Sequence, residues 1–257
     1  MTADSDNSDN PRSSNFASAL RDGRSHLRLW IVAAAGLWVD LWSKAWAFST
    51  LDADHPMPVW EGFMEFRRSL NAGAVFGFGA GLVWVFIVAS FAALGFVLFL
   101  FNGSTPRQRI LHAALGMILA GALGNLYDRV FVEAHVVKVM TEAGQVDRHI
   151  GRVVETGPDG SVWIGSWPEG HNPRSIPADQ IIGEPTRQGV VRDFIKFLPR
   201  LPTWIPLVGG FDAWPWIFNV ADALLVCGVA ILLLNLWFTR GPTPSTRRLQ
   251  GNRRGDP

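Results

Sequence analysis

The chain has 257 residues, 48% of them hydrophobic, 12% aromatic and only 18% charged, with a net charge of +1 and a positive mean hydropathy. Charge depleted to this degree excludes an ordinary soluble domain and points to a membrane protein, while the near-neutral balance gives no ground for nucleic-acid binding. The lone cysteine, Cys227, excludes an intramolecular disulfide and a cysteine metal site; it reads as a small packing residue within the last apolar run.

Residues 1–28 are rich in Ser, Asn, Asp and Arg and predict a disordered tail. The first apolar run, Leu29–Phe48, is interrupted by Asp40 and Lys44. It ends in Ala45-Trp46-Ala47, which imitates a signal-peptide cleavage site, but the two charges break the expected apolar region, so a retained helix is predicted. An external loop, 51–80, follows; its alternating Phe63, Glu65 and Arg67 predict short strands on the membrane surface ahead of a Gly-rich run at 71–81. Gly81–Phe101 is nearly pure Val, Phe, Leu, Ala and Ile, and as a helix it spans about 30 Å, the thickness of a bilayer core. Ile110–Phe131 forms a third span, closing a first membrane part at 29–132.

Residues 133–190 differ from their surroundings in being polar and punctuated by Gly and Pro. Arg152–Glu155 and Ser161–Ile164 flank Pro158-Asp159-Gly160, which predicts a hairpin inside a β-rich external insertion. Trp163 and Trp167 within it are expected to pack in its core. A loop carrying Asp193 and a fourth span, Trp214–Phe238, occupy 191–240; a second disordered tail is expected at 241–257. The fold class is thus an all-α membrane protein of four transmembrane helices with a small external β-cradle and a β-rich periplasmic insertion. Arginines before the first span, at 107 and 109, and after the last span place both termini in the cytoplasm by the positive-inside rule.

Asp222 lies in an otherwise charge-free stretch from Ala213 to Thr239. A carboxylate in such a place costs roughly 2.5 to 3.5 kcal/mol on insertion scales, so it marks a functional site. In the expected topology Asp40 and Lys44, then Asn125, Asp128 and Arg129, then Asn219 and Asp222 all fall in the outer half of the bilayer, so they converge. The i,i+4 spacing of Asp40 and Lys44 makes them a structural pair. Asp193, in 190-VVRDFIKF-197, is a second carboxylate that the chain can bring above Asp222. Two facing carboxylates share a proton, one serving as base towards water and the other as acid, which is aspartic-protease chemistry. The histidines lack ligand spacing, so no metal or cofactor is expected. Ser43 and Lys44 are helical neighbours whose side chains diverge by about 100°, which argues against a Ser/Lys pair. A small intramembrane proton or ion pathway is the alternative function, disfavoured because the second run carries no polar relay; a noncatalytic scaffold is the third.

Asp40-Leu-Trp-Ser-Lys44, 71-NAGAVFG-77, 121-GALGNLYDR-129, 191-VRDF-194 and 218-FNVAD-222 resemble, in order and context, the five sequence blocks of lipoprotein signal peptidase, also called signal peptidase II. The resemblance implies an aspartic endopeptidase of the bacterial inner membrane that cleaves diacylglyceryl-modified prolipoproteins before the lipidated cysteine, on the periplasmic side and as a monomer among membrane lipids. It also implies catalytic roles for Asp193 and Asp222, and substrate-binding or dyad-supporting roles for Asn71, Gly73, Asn125, Arg129 and Asn219. Asp128 is assigned with Asp40 and Lys44 to structure, although the insertion between Arg129 and Asp193 makes it a rival for the first catalytic position.

Overall fold

The computed structural model describes residues 18–73, 83–207 and 209–239, so most of the expected tails and residues 74–77 of the second block lie outside the described residues. In chain order the elements are α1 (Gly23–Thr50), β1 (Met57–Trp60), β2 (Met64–Asn71), α2 (Val83–Asn102), α3 (Arg109–Phe131), β3 (Glu133–Met140), β4 (Val146–Thr156), β5 (Val162–Gly165), β6 (Arg174–Ile176), β7 (Thr186–Gly189), β8 (Val191–Phe197), β9 (Ile217–Phe218) and α4 (Val220–Thr239). The all-α class is therefore corrected: two sheets, ordered β1-β2-β8-β9 and β6-β5-β4-β3-β7, accompany the helices. Between the spans the chain is patterned with period two rather than 3.6, and it folds accordingly.

Helices α2, α3 and α4 are long and apolar enough to cross a membrane. α1 is 28 residues long but carries Arg24, Arg28, Asp40 and Lys44. It starts within the stretch expected to be tail, because Asp22 caps it by accepting from the Ser25 N–H at 2.9 Å. α3 is the central helix: 67% of its apolar window is buried, against 11% in α2 and 17% in α4, and it packs on α1, α2 and α4. Small residues make this possible. A Cβ on Gly121 would collide with the Ala221 carbonyl and one on Gly124 with the Asp40 carboxylate, so only glycine lets α4 and α1 approach α3 this closely. The outward faces of α2 and α4 expose Phe91, Phe99, Leu233 and Trp237, an apolar belt suited to lipid. Cys227 lies on this exposed side of α4 instead of in the packed interior.

The fourth helix starts at Val220, not at Trp214. Ile217 and Phe218 instead pair with β8 as strand β9, and Lys196 Nζ donates to the carbonyls of Trp214 and Pro215 at 3.0 and 2.9 Å, holding them out of helix. Asp222 consequently stands in the first turn of α4, where backbone N–H groups and the helix dipole favour a carboxylate.

The cradle sheet carries an irregularity with a purpose. Phe66 opposes Ile195 but Ser69 opposes Asp193, so β2 contains one extra residue. Without it, period-two alternation would put Asn71 and Asp193 on opposite faces; with it they share one.

In the insertion, β4 and β5 form the expected hairpin, closed by Gly157 N–H donating to Ser161 O at 2.8 Å. The two ends of the insertion meet: Glu133 opposes Gly189, and Val190 N–H donates to Val132 O at 2.9 Å. Leaving α3 and entering β8 is thus a short step in space, and the long insert costs the site little. Trp167 joins the insertion to the membrane part, its indole donating to Glu133 O at 2.9 Å and its ring lying edge-on to Phe48. Trp163 is exposed rather than packed.

Candidate active site

Asn219 and Asp222 form a reciprocal capping box at the start of α4. Asp222 N–H donates to Asn219 Oδ1 at 3.0 Å, and Asn219 N–H donates to Asp222 Oδ2 at 3.2 Å. The remaining amide hydrogens of Asn219 reach outward, from Nδ2 to Asp193 Oδ1 at 2.6 Å and to Asn125 Oδ1 at 3.2 Å. One asparagine therefore grips both carboxylates. Asn125 Nδ2 donates to Asp222 Oδ1 at 2.8 Å, and Asn71 Nδ2 donates to Asp193 Oδ2 at 3.2 Å. Gly73 supplies the last piece: at φ +84 it turns its N–H onto Asn71 Oδ1 at 2.9 Å, fixing that amide.

Asp193 is 2% exposed, whereas Asp222 is half-buried. Burial, followed by the nearby Asp222 charge, pushes the Asp193 carboxyl up to about 8, against the opposing pull of the Asn219 and Asn71 amides. Both carboxylates line one cavity of about 750 Å³, bounded by Ser69 to Ala72 of the cradle, Trp214 to Phe218, and Val146 to Arg148 with Ile150 of the insertion.

Beneath this cavity sits a second group of charges. Lys44 Nζ meets Asp40 Oδ2 at 2.8 Å, Asp128 Oδ2 at 3.4 Å and Asn125 Oδ1 at 3.2 Å, three acceptors for three ammonium protons. Asp40 Oδ1 also accepts the Ala221 N–H at 2.8 Å, satisfying an orphan donor of α4. Asp128 is held by Arg192, through Nη2 on Oδ1 at 2.7 Å and the backbone N–H on Oδ2 at 3.0 Å. Sequence reasoning missed Arg192, although strand alternation next to Asp193 and the need of buried Asp128 for a cation both signal it. Arg129 donates to the Asn125 carbonyl at 3.2 Å and lies over the Phe86 ring; among the described residues it makes no ion pair with either carboxylate of the cavity. No group of three or more His, Cys, Asp or Glu is gathered for a metal ion among the described residues.

A solved structure of a bacterial membrane enzyme, determined by the in meso method at 2.3 Å, shares this fold of apolar helices and a β-cradle. It aligns with a TM-score of 0.53 over 89% of this chain and 96% of that one, at 19% identity. The lipoprotein signal peptidase of Rhodopirellula baltica is 31% identical over 208 residues, covering 79% of this chain and 68% of the relative. That of Synechocystis sp. is 36% identical over 110 residues, 42% of this chain and 66% of the relative. The chain thus spans about two thirds of the length of the curated relatives it matches. The family model described as Signal peptidase (SPase) II matches residues 32–238, and the chain belongs to this peptidase family. Membership disfavours the ion-pathway alternative.

Proposed function

We propose that the chain is an integral-membrane aspartic endopeptidase that removes the signal peptide from diacylglyceryl-modified prolipoproteins, with Asp193 and Asp222 as its catalytic pair. The observation that carries this reading is Asn219, whose side chain and backbone hold both carboxylates at once. Asp193, with its proton retained up to about pH 8, is the general acid; Asp222, in the helix-favoured carboxylate position, is the base. Water held between them loses a proton to Asp222 as its oxygen attacks the scissile carbonyl, and Asp193 protonates the carbonyl oxygen. The resulting gem-diol collapses as the amine leaves with a proton, and the pair returns to its starting state.

Asn71, Gly73, Asn125 and Asn219 orient the pair, and Arg129 faces the substrate chain. Asp40, Lys44 and Asp128 are structural. In this reading α1 is the fourth transmembrane helix, supported by full burial of Asp40 and Lys44 against α3 and α4 and by exposed Trp38 and Trp42 on its outer face. Both termini are cytoplasmic, the insertion at 133–190 and the cavity face the periplasm, and the enzyme works as a monomer in the inner membrane.

The test is conversion of a lipidated prolipoprotein, followed by gel shift, in a host depleted of its own signal peptidase II. Unmodified protein restores conversion, whereas Asp193→Asn and Asp222→Asn do not. Undiminished conversion by Asp222→Asn contradicts the mechanism, and loss confined to Asp128→Asn moves the pair.

A further inference from the structure

Strand β8 carries Asp193 to the cavity, but the strand is flanked unevenly there. β2 pairs with it from Val191 to Asp193 on one side, whereas β9, on the other, meets only Ile195 and Lys196 among the described residues. Asp128 of α3 takes the place of a strand neighbour: its Oδ2 accepts the Arg192 N–H at 3.0 Å. The Arg192 side chain closes on the same carboxylate, with Nη2 on Oδ1 at 2.7 Å and Nε on Oδ1 at 3.2 Å. Main chain and side chain of one residue thus clamp a single, fully buried acceptor, and a charge-assisted fork of this kind fixes direction as well as distance.

Arg192 and Asp193 are consecutive in an extended strand, so their side chains leave on opposite sides. Holding the first sets the rotation and register of the second. Asp193 has little room for error, since its oxygens stand 2.6 Å from Asn219 Nδ2 and 3.2 Å from Asn71 Nδ2, and a slip of one residue would turn it away from the cavity altogether. Arg192 is absent from the described residues that border the cavity, so any effect it has on the chemistry passes through its neighbour.

We infer that Arg192 is a positioning residue: through its clamp on Asp128 it holds Asp193 in place opposite Asp222. The inference rests on the peptidase reading above. It also sets the direction of a measurable shift. A displaced Asp193 leaves its burial and the field of Asp222, the two causes that raise its carboxyl to about 8, so its pKa falls. Mere loss of a nearby positive charge does the reverse. The other charges around Asp193, Lys44 of α1 and Arg129 of α3 with Asp147 and Arg148 at the cavity wall, are the same in either case.

The test uses full-length enzyme reconstituted in lipid and a synthetic diacylglyceryl lipopeptide, with rates taken per folded molecule across neutral and alkaline pH. Arg192→Gln lowers kcat by about 10²-fold, the order for a catalytic group displaced by about 1 Å, leaves KM unchanged and moves the alkaline limb of the profile to lower pH. Arg192→Lys keeps a cation on Asp128 without the fork, and it falls between Arg192→Gln and the unmodified enzyme in both readouts. An unchanged kcat and limb in Arg192→Gln, or a limb moved to higher pH, overturns the inference with the peptidase reading intact; should Arg192→Gln not fold, the same outcome in Arg192→Lys overturns it. Failure of unmodified enzyme to cleave the peptide overturns both.

Discussion

Two groups of buried carboxylates lie within this fold, and they differ in what their neighbours supply. Asp40 and Asp128 are fully buried and each meets a cation, Lys44 for the first and Lys44 with Arg192 for the second. Asp193 is almost as buried, yet its hydrogen bonds come from the neutral amides of Asn219 and Asn71. The first group is neutralised and locks helices to the cradle. In the second, burial favours the protonated form of Asp193, which suits the acid role proposed for it, so the same residue type is set for two roles according to the partner it is given.

The comparison breaks most visibly at the reactive pair. Asp193→Asn or Asp222→Asn lowers lipopeptide cleavage by about 10²- to 10⁴-fold, the usual worth of acid–base catalysis, with the folded fraction in detergent preserved. The opposite pattern is expected in the compensated group. Lys44→Met leaves Asp40 and Asp128 short of their buried cation and costs about 3–5 kcal/mol in chemical unfolding, with activity lost in step with the folded fraction.

A pH series sharpens the contrast. The Asp193 carboxyl is raised from 3.8 to about 8 in the folded protein, so its contribution to stability is fully present below 3.8 and is lost as pH rises through about 8. Melting of the unmodified protein therefore falls relative to Asp193→Asn across that window, and cleavage declines above about pH 8 as the acid is lost. The smallest effect belongs to a pair that water already screens. Arg187→Ala removes the 2.7 Å contact to Glu133, whose side chains are 68% and 48% exposed, and it shifts the melting by less than about 1 kcal/mol.

Much of the architecture was legible in the sequence because apolar length alone identifies α2, α3 and α4, and alternation identifies the insertion hairpin. The start of α4 was not, because the apolar run from Trp214 reads as helix until Lys196, a residue far back in the chain, claims the Trp214 and Pro215 carbonyls. Asp222 therefore appeared eight residues into an apolar run when it stands in a first helical turn. The candidate residues Asn71, Asn125, Asn219, Asp193 and Asp222 are brought together, yet the extra residue in β2 that turns Asn71 towards Asp193 leaves no local mark, since a register shift is a property of two strands. Arg192 was overlooked for a related reason: its partner Asp128 lies across the whole insertion.

Infrared difference spectroscopy of the lipid-reconstituted protein, titrated through neutral pH, tests the central claim most directly. The account predicts a protonated carboxylic acid band that persists at neutral pH, titrates near 8 and disappears in Asp193→Asn. A band unchanged by that substitution, or complete ionisation of Asp193 well below neutrality, contradicts it.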